Sequence, residues 1–169
     1  ERGFNHMLDC VAAMKEVTGE KVSLALDCGP GWFLPDAIRF ARAVEKYTLM
    51  WLEDMLTGDY VPYVNADVYR DLTRATSTPI HTGEQIYLRQ NFKDLIDKRA
   101  VNIVGPDPED VGGISELKWI AEFADLYGIL ACGVPRVPTT SSMDPPRKVF
   151  VSSANSSARG RCRRCASIP

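Results

Sequence analysis

Four short apolar runs in this chain each end on a carboxylate, and the carboxylates recur at the interval of one strand plus one helix. The runs cover residues 22–27, 48–53, 79–84 and 101–107, and they end on Asp27, Glu53, Glu84 and Asp107, separated by 26, 31 and 23 residues. Between them lie stretches of helical period. Residues 35–47 place Ala37, Ile38, Ala41 and Val44 on one face, with Pro35 suited to a first helical turn. Residues 68–75 and 91–99 read as shorter helices. Residues 114–127 carry a broad apolar face closed by Gly128, residues 5–18 a helix stopped by Gly19, and residues 129–132 begin a fifth strand. Strands that are apolar throughout and alternate with helices predict parallel strands covered on both faces. The fold class expected is α/β. Gly29-Pro30-Gly31 is too short for a dinucleotide-binding turn. A closed (β/α)8 barrel needs about 250 residues. Five βα units within residues 1–132 therefore predict a partial (β/α)8 TIM-type barrel.

The rest of the chain differs in character. Of its 169 residues, 133–169 are rich in Ser, Arg and Pro and hold six Arg and one Lys against one acid, Asp144. This stretch reads as an irregular basic tail, either an arm or a segment never selected to fold with the body, such as a frameshift product. Residues 1–132 hold 13 basic and 21 acidic side chains. An acidic body argues against nucleic acid, which needs basic patches. No run of 18 apolar residues exists, so no membrane span is expected, and nothing at the start resembles a secretory leader. A cytoplasmic location is the expectation. Five cysteines at loose spacing argue against a disulfide framework, and Cys162-Arg-Arg-Cys165 lacks a second ligand pair for zinc.

In a parallel barrel the C-terminal strand ends converge on one mouth, where active sites lie. Four carboxylates there repel one another unless a cation is present, and a hard divalent ion such as Mg2+ takes oxygen ligands of this kind. One acid at a strand end can simply cap the next helix. The same register in four consecutive units points to a cation site.

The segments Leu24-Ala-Leu-Asp27, Trp51-Leu-Glu53-Asp54, Thr82-Gly83-Glu84 and Val104-Gly-Pro-Asp107, followed by Val111-Gly112-Gly113-Ile114, resemble the barrel of the enolase superfamily. The resemblance is to its mandelate racemase/muconate lactonizing enzyme branch, acid-sugar dehydratases included. It implies that Asp27, Glu53 and Glu84 are Mg2+ ligands and that Asp107 orients a histidine base from the next strand. It also implies abstraction of the α-proton of a small-molecule sugar-acid carboxylate, then dehydration or racemisation, in a family whose members are often homo-oligomers. The chain departs from the pattern. The lysine motif of the second barrel strand would precede residue 1, and Gly133-Val-Pro-Arg-Val-Pro stands where the histidine is expected. The other expectation is therefore a non-catalytic fragment or pseudoenzyme that binds a divalent cation or has no activity alone.

Other residues carry weaker expectations. Strand alternation from Glu84 puts His81 on the opposite face, so a structural role is expected ahead of contact with substrate. Arg89, after the fifth barrel strand of the family pattern, is a candidate to meet a sugar acid. Asp54 is placed either in a hydrogen bond behind the ligands or in solvent. Cys28 reads as a small mouth-lining residue, and Trp51 and Trp119 as packing residues.

Overall fold

A computed structural model describes residues 1–56, 64–132 and 148–152. Residues 133–147 and 153–169, with Cys162 and Cys165, lie outside the described residues.

The helices form where apolar side chains recur with helical period. α1 (Arg2–Thr18) is followed by β1 (Ser23–Asp27), then α2 (Leu34–Val44) with Pro35 in its first turn, extended by a 3-10 turn at Glu45–Tyr47. β2 (Leu52–Glu53), α3 (Ala66–Ala75), β3 (Ile80–Thr82) and α4 (Leu88–Asp97) follow. β4 (Ile103–Val104), the short α5 (Pro108–Val111), α6 (Ile114–Leu126) and β5 (Leu130–Ala131) complete the expected units. The strands are shorter than the apolar runs that announced them. The flanking residues of each run are spent on the turns at the strand ends.

Leu24, Ala25 and Leu26 are consecutive in β1 and all at most 5% exposed, the mark of a strand covered on both faces. The alternation of strand side chains sorts them into two groups. Leu24, Leu26, Leu52, Ile80 and Val104 join the core contributed by the helices, with Phe92 and Ile120 fully buried. Ala25, Trp51 and Ile103 form a separate small group. In barrel terms these are the helix-facing and inward-facing sides.

All strand pairs are parallel, and the order across the sheet is β5-β4-β3-β2-β1-β6. The first five of these strands follow the expected order. The sixth, β6 (Lys148–Ser152), is an addition within the stretch read as irregular. It lies along β1 in register from Ser23↔Lys148 to Asp27↔Ser152. Its Val149-Phe150-Val151 core has high strand propensity, and no other described strand pairs with β1 on that side. The surrounding Ser, Arg and Pro obscured so short a run.

Candidate metal centre

β2 ends at Glu53, and Asp54 then takes the left-handed backbone region at φ 47, which aspartate tolerates better than most residues. β3 ends at Thr82, and Gly83 turns the chain at φ 146. A Cβ at Gly83 would lie 2.9 Å from the Gly105 backbone, so glycine is required on both grounds. Glu84 follows that turn. The result is that one oxygen from each of Glu53, Asp54 and Glu84 lies within 4.8 Å of the other two.

Glu53 is fixed from the inward side. Trp51 Nε1 donates to its Oε2 at 2.8 Å, and His81 Nδ1 lies 3.4 Å from the same oxygen. Strand register places His81 directly beside Glu53, and the Trp51 and His81 rings stack with centroids 5.4 Å apart. Gly105 leaves room for that imidazole, since a Cβ there would come within 2.5 Å of Nε2. Asp54 is fixed from the other side. Its Oδ1 accepts from Thr82 Oγ1 at 2.6 Å and from the Gly83 N–H at 3.3 Å. Thr82 Oγ1 in turn lies 3.1 Å from Tyr69 Oη on α3.

Burial pushes the Glu53 carboxyl up to about 7, against the Trp51 hydrogen bond, with Asp54, Asp27 and Glu84 adding repulsion. Burial likewise raises Asp54 to about 7, opposed by the Thr82 hydrogen bond and reinforced by Glu84 and Asp27. Cys28 is pushed up to about 12, by burial first and then by Asp27 and Asp54. These acids resist ionising together. A cation among them removes that resistance, and three hard oxygen donors at this spacing suit a divalent ion.

A cavity of about 900 Å3 opens over the cluster, lined by Asp27, Asp54, Glu84, Cys28 and Trp32 at the strand ends and by Arg39 of α2 among others. Among the described residues its lining contains no histidine or lysine.

The expected site residues fall in several places. Glu53 and Glu84 are brought together. Asp27 lines the same cavity, and its Oδ1 accepts the Gly29 N–H at 3.0 Å. Asp107 is the N-cap of α5, its carboxylate accepting the Glu109 N–H at 2.7 Å. Arg89 Nε lies 3.3 Å from Glu116 and its guanidinium sits over the Trp119 ring, both on α6, and it does not line the cavity. The alternation expected between His81 and Glu84 does not hold. The strand stops at Thr82, so Glu84 is positioned by the Gly83 turn and both residues lie near Glu53. Sequence reasoning missed Trp51 and Thr82 as supports. Trp51 stands two residues before Glu53, the spacing of one strand face, and that signal was available.

No helix among the described residues is long and apolar enough to cross a membrane. Comparison with known proteins gave consistent matches. The family model for enolase C-terminal domain-like proteins matches residues 2–143. D-xylonate dehydratase of Haloferax volcanii is 37% identical over 126 residues, covering 75% of this chain and 29% of that protein. The structure of a mandelate racemase/muconate lactonizing enzyme-like protein from Rubrobacter xylanophilus superposes with TM-score 0.72 at 40% identity, covering 78% of this chain and 32% of the other. L-talarate dehydratase from Polaromonas sp., solved in complex with Mg and L-glucarate, superposes with TM-score 0.70 at 30% identity, covering 76% and 34%. The chain thus spans about a third of the length of such relatives.

Proposed function

This chain belongs to the enolase C-terminal domain-like family, and on that footing we propose that its acidic mouth holds a Mg2+ ion that receives the carboxylate of a sugar acid. Residues 1–132 are then the barrel unit, and Glu53, Glu84 and Asp27 supply cation-holding oxygens. The observation that carries the reading is the convergence of the buried Glu53 and Asp54 with the exposed Glu84, from two consecutive strand ends, within 4.8 Å of one another. When bound, the cation supplies Lewis-acid stabilisation of the charge that develops on the substrate carboxylate.

The chain's own residues prepare that site. Trp51 and His81 hold Glu53 at one of its oxygens, which fixes the direction of the other. The roughly 900 Å3 cavity is large enough for a sugar acid. Its acidic lining repels an anionic substrate until the cation is in place, so cation and substrate bind in that order. Asp107, at the N-cap of α5 beyond β4, is assigned the orienting of a proton-transfer group. The reaction class of the whole enzyme is α-proton abstraction from a sugar acid, followed by loss of a β-hydroxyl or by racemisation.

A second reading rests on the cavity lining, which among the described residues offers no histidine or lysine to take the proton. On that reading the chain binds the cation and performs no proton transfer. Two measurements test the pair. Millimolar Mg2+ should raise the melting temperature of the chain, and Glu84→Gln should abolish the rise. No rise in the wild-type chain would refute the cation site. Exchange of the α-proton of a sugar acid with solvent deuterium, followed by NMR, then separates enzyme from binder.

A further inference from the structure

We infer that the part of the cavity beyond the acids binds the neutral polyhydroxy tail of a sugar monoacid, with Trp32 and Phe33 against its C–H face and Asp36 and Arg39 on its hydroxyls. This rests on the reading above, in which the substrate carboxylate meets a cation, and it narrows the substrate class to aldonic acids ahead of the corresponding diacids.

The first observation is extent. One side of the cavity of about 900 Å3 is formed by the strand-end acids, another by Phe4 of α1 and by Phe33, Asp36 and Arg39 at the start of α2. A space of this size holds a whole small molecule, so one cation and one carboxylate leave much of it unfilled.

The second observation is an aromatic wall. Trp32 is held firmly. Its backbone N–H donates to the Met55 carbonyl at 3.1 Å and its indole N–H to the Cys28 carbonyl at 3.4 Å. Its ring lies 5.1 Å from that of Phe40, which in turn meets Phe4 edge-on. Phe33, the next residue, lines the same cavity and is 78% exposed. The face of an aromatic ring is electron-rich and attracts the polarised C–H bonds of hydroxyl-bearing carbons.

The third observation is a polar pair. Asp36 and Arg39 stand three residues apart on α2 and therefore share a face. A hydroxyl both donates and accepts, and this pair supplies an acceptor and a fork of donors. The Arg39 guanidinium sits 4.1 Å over the Phe4 ring, which limits its freedom.

The fourth observation is charge. Among the described residues Arg39 is the one basic side chain in the lining. Glu1 lies 3.6 Å from it, and Asp36 is a turn away. A second substrate carboxylate would meet a cation already matched by acids, so the tail that fits is uncharged.

Isothermal titration calorimetry of the full chain at saturating Mg2+ tests this with D-gluconate against D-glucarate and D-galactonate against galactarate. The members of each pair differ only in the oxidation of the far carbon. In a pair that binds, the monoacid should bind about fivefold tighter or more. Glycerate, which keeps the carboxylate and lacks the long tail, should bind more weakly than that monoacid. Phe33→Ala should weaken monoacid binding about threefold or more and leave the affinities for Mg2+ and glycerate unchanged, a split that a structural role would not produce. If Phe33→Ala does not fold, Arg39→Gln, also at an exposed position, decides by the same split. A diacid that binds as tightly as its monoacid, a variant that binds the monoacid like wild type, or Mg2+ binding with no acid bound overturns this inference and leaves the cation site standing. Absence of Mg2+ binding by the wild-type chain overturns both.

Discussion

Replacing Glu53 by glutamine should stabilise the metal-free chain, and only at neutral to alkaline pH. The carboxyl is raised from 4.5 to about 7, by burial foremost and then by Asp54, Asp27 and Glu84. Below pH 4.5 the folded and unfolded chains both carry the proton, and no penalty exists. Between about 4.5 and 7 the unfolded chain releases it while the folded chain retains it, so stability falls as pH rises. Above about pH 7 the full penalty is present, about 3 kcal/mol for a rise of this size. Asp54 shares the same burial and repulsion, so its contribution does not add to this one. The substituted glutamine keeps an oxygen to accept the Trp51 N–H, now 2.8 Å from Glu53, and its amide can donate to Asp54 or Glu84. Urea unfolding in EDTA at pH 8 should show Glu53→Gln more stable than wild type by about 2–3 kcal/mol. At pH 4 the two should agree within about 0.5 kcal/mol. A variant less stable than wild type at pH 8, or an equal difference at both pH values, would refute the reasoning.

Other expectations follow from single contacts. Gly105→Ala drives a Cβ to within 2.5 Å of the His81 ring and should cost about 1–3 kcal/mol in urea unfolding, as overpacking does. Phe92→Ala removes a fully buried ring from the helix-side core and should cost about 3–5 kcal/mol by the same assay. Native alkylation at pH 8, mapped by mass spectrometry, should label the exposed Cys10 and spare Cys28, whose thiol is pushed up to about 12; equal labelling would contradict the buried, acid-flanked position. Deleting residues 148–152 bares one side of β1 and should produce self-association, read by sedimentation velocity.

The parallel architecture was legible because its strands are apolar throughout and its helices are amphipathic, and both signals are local. The acids at the strand ends were legible for the same reason, since a carboxylate closing an apolar run is a one-dimensional pattern. Asp54 was not. Its burial depends on Thr82 and Tyr69, which are 28 and 15 residues away in sequence, and no local pattern reports that they meet. The place of His81 near Glu84 was not legible because strand alternation was extended past a turn that Gly83 makes at φ 146, although its burial against Trp51 fits the structural role expected of it. Arg89 looked available as a lone cation after a strand, and only the packing of α4 against α6 shows its Glu116 and Trp119 partners. β6 escaped because its pairing partner lies about 120 residues upstream.

That last separation sets an order of events during synthesis. β1 through β5 can assemble as their residues emerge, each pairing with the strand made one unit earlier. The far side of β1 waits for Lys148–Ser152. At roughly 5–20 residues per second, the interval from Asp27 to Lys148 is on the order of 6–24 s. Throughout it no other described strand pairs with that edge of β1. Translation speed over the second half of the message therefore governs how many chains seal themselves and how many pair with a neighbour, and slowed elongation should raise the aggregated fraction.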